Sequence, residues 1–206
     1  MRRLAALLLA AWLPAAAVWA ESPAPRSLSA EQLQRLGDGE PLIWTRRHSD
    51  GAGRVELVTR VPGPPDEVWA IVDAYPDYAS WFPDQEESSV LASQGATKTL
   101  SGTVDLPFPL RDRSFHLTDV ATDVTVDGVR RRAHAWTYIA GSGNIVSSTG
   151  FTLVEPWPGP GGGTLVRMVA EADFGVPVPD FVMNWGARRM MRRVAAALAS
   201  RWDALY

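Results

Sequence analysis

The chain has 206 residues and an ordinary globular composition, 46% hydrophobic and 21% charged, which allows one domain with a sizeable core. The formal net charge of -3 gives no support to nucleic-acid binding. Cysteine is absent, which excludes disulfides, thiol catalysis, cysteine-ligated metals and a lipid-modified N-terminal cysteine. Nine tryptophans are many for this length and indicate large apolar surfaces or a cavity.

The N-terminus has the three parts of a secretory signal peptide. Two arginines form the positive region, residues 4–18 are apolar, and Ala20 closes the segment with a small side chain. We therefore predict a cleavable signal peptide over residues 1–20 and a periplasmic protein. The alternative is an uncleaved anchor, which the short apolar run opposes.

Residues 21–52 are predicted to form a short extension before the main domain. Ser29 and Gln32 fit a capping box and Gly37 fits a helix stop, so a small helix is expected between them. The stretch "PLIWTRR" is predicted to be a first strand.

The next part of the chain predicts a strand and then two helices. "GRVELVTRV" alternates like a strand. Prolines then precede a helix start at which Asp66 and Glu67 suit the positive end of the helix dipole. Pro76 breaks that helix, and "DYASWF" is predicted to be a second, short one.

From Gln85 to Phe174 the sequence predicts about six strands. Segments rich in β-branched and aromatic residues are separated by glycine, proline and Asp-Gly turn signals. Short connections of this kind imply antiparallel pairing. A long helix from about Asp180 to Leu205 closes the chain, because its apolar residues recur at helical spacing.

This order of elements is the helix-grip arrangement of the α+β class, a curved antiparallel sheet wrapped around a long C-terminal helix. Three segments resemble the START family of lipid-binding domains and its wider SRPBCC superfamily: "VPGPPDEVWAIVDAYPDYASWFPD", "PFPLRDRSF" and "DFGVPVPDFVMNWGARRM". The resemblance covers Val55 to Leu205 and identifies residues 53–206 as a START-like domain of an exported bacterial member. It implies a deep apolar cavity between sheet and helix, and it leaves the ligand open.

Strand parity in "RDRSFHL" makes Arg113 a candidate ligand contact. Arg113, Phe115 and Leu117 share one face of a regular strand. That face is the more apolar one and is expected to face the helix, so Arg113 points inward, where an unpaired guanidinium is costly. Arg113 either binds a polar group of an apolar ligand or forms a structural ion pair, for example with Asp112.

Further residues are candidates for the cavity wall. The aromatic pair Trp136 and Tyr138 alternates along a later strand, and Trp81 and Phe82 precede a proline. On the last helix the candidates are Met183, Ala187, Met190 and Met191, since methionine adapts to flexible lipids. For each of these residues, ordinary core packing is the alternative.

The predicted function is binding of a hydrophobic small molecule, chiefly a lipid, for sequestration or transport in the periplasm. Residues 174–181 form an apolar loop that is predicted to contact membranes transiently. Three histidines lack metal-ligand spacing, so no metal, cofactor or catalytic residue is assigned. Two alternatives stay open: a cyclase- or hydrolase-type enzyme on the same fold, which needs an acid–base pair in the cavity, and an interaction module without a ligand.

Overall fold

The computed structural model describes residues 27–48, 51–106, 111–126, 128–175 and 179–206. The predicted signal peptide and residues 176–178 of the predicted membrane loop therefore lie outside the described residues.

The centre of the fold is one antiparallel sheet. Its eight strands are β1 (Leu42–Arg47), β2 (Gly53–Val61), β3 (Gln85–Gln94), β4 (Thr97–Val104), β5 (Arg113–Val126), β6 (Val129–Tyr138), β7 (Ser147–Pro156) and β8 (Thr164–Asp173). They lie in the order β1-β2-β8-β7-β6-β5-β4-β3. The six strands predicted between residues 85 and 174 are confirmed.

The helices are α1 (Ala30–Gly37), α2 (Pro65–Asp73), α3 (Tyr78–Trp81) and α4 (Asp180–Leu205), with a 3-10 turn at Tyr75–Asp77. The capping box at the start of α1 is formed, because Ser29 and Gln32 each accept a hydrogen bond from the other's main-chain N–H. Two helices after β2 and one long helix at the end of the chain complete the predicted helix-grip fold. None of the described helices is long and apolar enough to span a membrane.

One face of the sheet, the inner face, packs against α2, α3 and α4. Leu57 of β2 is 1% exposed and packs with Val194 and Ala195 of α4. Val154 of β7 and Val166 of β8 form a second cluster with Leu198 of α4. The other buried members of this cluster are Val61 at the end of β2 and three residues of α2, namely Val68, Ile71 and Val72. The inner face therefore carries two apolar clusters, one under each part of the helical layer.

The opposite, outer face carries the packing site of α1. Leu36 of α1 packs with Leu42, Val58, Leu165 and Trp157 in a third buried cluster. Side chains alternate between the faces of a strand, so Leu57 and Val58 belong to different layers. Helix α1 thus covers part of the outer face of the sheet.

The last helix lies mainly over one side of the inner face. α4 contacts β1 and β2, while α2 contacts β7 and β8. The ion pair between Arg47 and Asp180, at 2.7 Å, joins the end of β1 to the first turn of α4. Because α4 lies over β1 and β2, the inner-face residues of β5 and β6 lie several strands away from it.

Candidate functional site

The parity predicted for the start of β5 is confirmed by the strand register. Leu117 pairs with Tyr138, and Asp119 pairs with Trp136. Trp136 in turn pairs with Gly150, which pairs with Ala170 beside Val55 of β2. Val55 packs on the cluster beneath α4. The odd-numbered residues of β5 therefore belong to the inner face.

Two inner-face side chains of β5 and two of β6 form what we call the apolar band: Phe115, Leu117, Trp136 and Tyr138. They lie where β5 begins and β6 ends, and each remains partly accessible to solvent. Beneath α4, Leu57 is almost fully buried, whereas Val55 and Met168 at the margin of that cluster also keep partial exposure. The apolar band therefore borders accessible space on the concave side of the sheet, across from α4.

Two glycines let the aromatic rings of the apolar band lie against the sheet. A Cβ at Gly150 would fall 2.3 Å from Cζ2 of Trp136, and a Cβ at Gly102 would fall 3.0 Å from the ring of Phe115. Real Cβ atoms do not approach a ring carbon to 2.3 Å, so glycine is required beneath Trp136. At Gly102 a Cβ would crowd the ring of Phe115.

The predicted residues of α4 occupy two environments. Met183 lies against β2, since its Cε is 2.8 Å from the Cβ position of Gly53. Met190 and Ala187 are partly buried, whereas Met191 is 5% exposed and belongs to the core beside Leu57. Their assignment as ligand contacts stays a prediction, and Met191 has the burial of an ordinary core residue.

The two predicted aromatic residues at the end of α3, Trp81 and Phe82, pack against different core clusters. Phe82 packs against the cluster that contains Met190 and Met168. Trp81 packs with Trp69 and Trp202 on the other cluster, under α2. Adjacent residues thus serve separate parts of the interior, and Phe82 is the one that lies near α4 methionines.

Arg113 binds main-chain carbonyl groups. Its Nε donates to the carbonyl of Phe174 at 3.2 Å, and its Nη1 donates to the carbonyls of Arg111 and Asp112 at 2.8 and 3.4 Å. In the part of the chain that the structure describes, no carboxylate forms an ion pair with it. Arg113 therefore ties the start of β5 to the segment that follows β8.

Tyr138 is also engaged by the main chain. Its hydroxyl accepts a hydrogen bond from the N–H of Gly143 at 3.1 Å. The same loop is fixed to β5, because Asn144 Oδ1 accepts from the N–H of Ser114 at 2.9 Å. The polar groups at this end of the apolar band thus position loops.

A buried charged cluster lies farther along the inner face. Asp119 of β5 is 0% exposed and His134 of β6 is 1% exposed. The carboxylate Oδ2 of Asp119 lies 2.9 Å from Nδ1 of His134, and Asp73 Oδ1 lies 3.3 Å from Nε2 of the same ring. Both nitrogens of one imidazole therefore face carboxylates from two elements, the sheet and the end of α2.

Aromatic and cationic side chains enclose this cluster. Trp69 of α2 stacks on His134 with ring centroids 4.3 Å apart and planes inclined by 6°. The Tyr75 hydroxyl donates to Asp119 Oδ1 at 3.0 Å, and Lys98 of β4 forms an ion pair with Asp73. Buried charges require such partners, because desolvation otherwise opposes their burial. The cluster therefore fastens α2 and the 3-10 turn to β4, β5 and β6.

Sequence reasoning missed this cluster. It considered His134 and found no acid at ligand spacing, because Asp119 is on the neighbouring strand and Asp73 is on a helix. The one usable signal was the inward parity of Asp119, which follows from the same alternation that places Arg113. Since Trp69 seals one face of the imidazole, the cluster fits a structural fastening better than a site for substrate chemistry.

The two tyrosines near the cluster have altered acidity. Removal from water is the main cause that raises the pKa of Tyr75 well above its ordinary value of 10.0, and neighbouring negative charge raises it further. Burial also raises the pKa of Tyr78, whose hydroxyl donates to the carbonyl of Val72 at 2.6 Å.

The sheet order, the long last helix and the apolar band on the concave side define a START-like helix-grip domain. The chain matches the family described as polyketide cyclase / dehydrase and lipid transport over residues 52–203. The match covers more than half of the chain, so the chain belongs to this family. None of the curated proteins matches it.

Solved structures share the fold at low sequence identity. A STAR-related lipid transfer protein from Xanthomonas axonopodis has a TM-score of 0.66 and 16% identity, with 79% of this chain and 93% of that chain covered. Human StAR-related lipid transfer protein 5 has a TM-score of 0.65 and 16% identity, with coverage of 82% and 84%. A START superfamily protein from Mycobacterium smegmatis has a TM-score of 0.55 and 16% identity, with coverage of 74% and 99%.

The first prediction concerns the buried cluster. Asp119→Asn should lower the free energy of unfolding by about 3 kcal/mol, because it removes one charge from a buried, paired group. Asp123→Asn on the same strand is the matched control and should cost about 1 kcal/mol or less, since exposed pairs contribute little. Urea denaturation measures both values. Equal losses in the two variants would show that the cluster does not fasten the helical layer.

The second prediction concerns alkaline pH. Above pH 10 the unfolded chain releases its phenolic protons, whereas Tyr75 and Tyr78 keep theirs in the fold because their pKa values are raised. Each should therefore lower the free energy of unfolding by about 1.4 kcal/mol per pH unit in that range. Tyr78→Phe should reduce this slope, and Tyr206→Phe, at an exposed position, is the control. Urea melts between about pH 9 and pH 11, one unit either side of the ordinary tyrosine value, test the slope. An unchanged slope in Tyr78→Phe would contradict the prediction.

The third prediction concerns Arg113. Arg113→Met removes the donors to the Phe174 carbonyl, so the amides of residues 173–175 should exchange their hydrogens about tenfold faster, which corresponds to about 1.4 kcal/mol. Arg111→Met is the control, because only the main-chain carbonyl of Arg111 takes part in these contacts. Hydrogen-exchange mass spectrometry provides the measurement. Identical exchange in both variants would mean that Arg113 does not hold this segment.

Proposed function

We propose that the protein binds a hydrophobic small molecule, chiefly a lipid, in the space bordered by the apolar band. One observation carries the proposal: four large apolar or aromatic side chains on the concave face keep partial exposure, while α4 packs on β1 and β2 across the sheet. A ligand that covered these side chains would gain roughly 25 cal/mol for each Å² of apolar surface removed from water.

The geometry favours carriage over acid–base chemistry. Arg113, two residues before Phe115 on β5, and the hydroxyl group of Tyr138 are both engaged by main-chain groups. The His134–Asp119 pair is sealed under Trp69. The family description and the lipid transfer proteins among the structural relatives support the same proposal.

We further propose sequestration or transport in the periplasm after removal of residues 1–20. A soluble carrier has an evident use in an aqueous compartment between two membranes. Residues 174–181 would provide transient membrane contact, and Phe181, at 75% exposure, is the described residue that supports it most directly. The contact places a membrane beside the segment that Arg113 ties to β5.

The fourth prediction tests ligand binding. Native mass spectrometry and organic extraction of the purified chain should reveal a hydrophobic molecule, and the emptied protein should bind a fluorescent fatty-acid analogue. Ala187→Trp should weaken that binding about tenfold or more, because an indole fills space beside the methionines of α4. Ala196→Trp, an exposed site on the same helix, is the control.

Two outcomes would count against the proposed function. One is a folded wild-type chain that contains no hydrophobic molecule and binds no fatty acid, sterol or phospholipid offered to it. The other is equal affinity in Ala187→Trp and Ala196→Trp, which would place the ligand elsewhere.

A further inference from the structure

The first turns of α4 expose apolar side chains to solvent. Phe181 is 75% exposed, Trp185 is 64% exposed and Val182 is 37% exposed. Phe181 and Trp185 are four residues apart, so they lie on one line along the helix surface. This line is separate from the stripe of Met183, Ala187, Met191 and Val194, which is directed towards the interior.

Arginines continue the exposed line. Arg189 lies one turn after Trp185, and its guanidinium carbon is 5.7 Å from the Trp185 ring centre. Trp185, Arg189, Arg192 and Arg193 line an open groove of about 350 Å³. Arg193 is bound by Asp84 at 2.8 Å. Within the described residues, neither Arg189 nor Arg192 forms an ion pair, although Arg192 is close enough to Glu40 to help lower the pKa of that carboxyl group. Both guanidinium groups can therefore bind an external anion.

The order of these residues along the helix indicates the partner. A helix rises about 1.5 Å per residue, so Phe181 and Arg192 are about 16 Å apart along its axis. Apolar side chains come first, a tryptophan follows, and unpaired arginines come last. A bilayer has the same sequence of layers, since acyl chains are followed by the interface that tryptophan prefers and then by phosphates.

We propose that residues 181–192 of α4 form a docking surface for bilayers rich in anionic phospholipid. Phe181 and Val182 enter the acyl boundary, Trp185 lies at the interface, and Arg189 and Arg192 bind lipid phosphates. An acidic protein would match the arginines but would leave the apolar tip of the helix without a counterpart. The surface stands on α4 alone and extends the membrane contact of the proposed function by its lipid class and residues.

Docking would also orient the apolar band. β1 ends where α4 begins, as the Arg47–Asp180 ion pair shows, and β5 begins at that same end of the sheet. A bilayer bound to the tip of α4 would therefore lie beside the end of the sheet that carries Phe115 and Tyr138. This consequence rests on the proposed function, while the docking surface itself does not.

Vesicle co-sedimentation tests the proposal. The purified chain should bind vesicles of phosphatidylcholine with about a third phosphatidylglycerol roughly tenfold more tightly than pure phosphatidylcholine vesicles, and added salt should weaken this preference. The double variant Arg189→Gln with Arg192→Gln should lose the preference. Phe181→Ser with Trp185→Ala should lower binding to both kinds of vesicle.

Arg46→Gln is the control, because Arg46 is an exposed arginine of β1 outside the docking surface. All variants share the same N-terminal residues, so any contribution of the apolar segment 4–18 to vesicle binding is equal in each. Binding by the Arg189/Arg192 double variant equal to that of Arg46→Gln would overturn the proposal. The proposal would also be overturned if free phosphate, in the absence of vesicles, reproduced the effect of the anionic lipid.

The same variants keep this result separate from ligand binding. The side chains changed in the two double variants all lie on the surface of α4, so the affinity of both variants for the fluorescent fatty-acid analogue in solution should stay within about twofold of wild type. Loss of vesicle binding with intact ligand binding supports the docking surface. Failure of the wild-type chain to bind anionic vesicles, with or without ligand binding, refutes it.

Discussion

The buried carboxylate of Asp119 imposes the main constraint on the interior. It is 0% exposed on the concave face of the sheet, where a charge is tolerated only if other elements supply partners. His134 supplies one from the adjacent strand and Tyr75 supplies another from the 3-10 turn. The segment from α2 to α3 must therefore cross the far strands of the sheet, and its position determines how much of the concave face remains uncovered.

This constraint divides the concave face into two functional parts. Around His134, charged and aromatic groups pair with and stack on one another. Towards the start of β5 the side chains are apolar and partly accessible, and α4 lies over the opposite strands. The buried charged cluster thus lies beneath α2, while the part beside the first turns of α4 is open enough for a ligand in the proposed function. The exposed aromatic residues of α4 lie at that same open end.

Local patterns in the sequence predicted much of this fold. The capping box at Ser29 depends on two residues of one turn, and the parity of Arg113 depends on one strand, so both could be read from the sequence directly. The Asp119–His134–Asp73 cluster could not, because its members come from two strands and a helix and meet only through the sheet register. Met190 and Met191 differ in burial because the crossing of α4 over β2 selects one helix face. Such a crossing depends on tertiary packing.

For Arg113, the predicted direction of the side chain is correct, but its partners are of a different kind from those predicted. Alternation along β5 correctly placed its side chain on the concave face, and desolvation correctly required hydrogen-bond acceptors there. The acceptors are carbonyl groups of Phe174, Arg111 and Asp112, which composition cannot reveal. A guanidinium with several donors is suited to gather such carbonyls at a strand start and a loop together.

The pairing of Lys98 with Asp73 has a practical consequence for chemical probing. Lys98 is the only lysine in the chain, and its side chain is 20% exposed and held in the ion pair. Amine-selective reagents will therefore meet one protected side-chain amine in the folded molecule. The rate at which that amine is acylated reports how often the Lys98–Asp73 ion pair opens, without any engineered label.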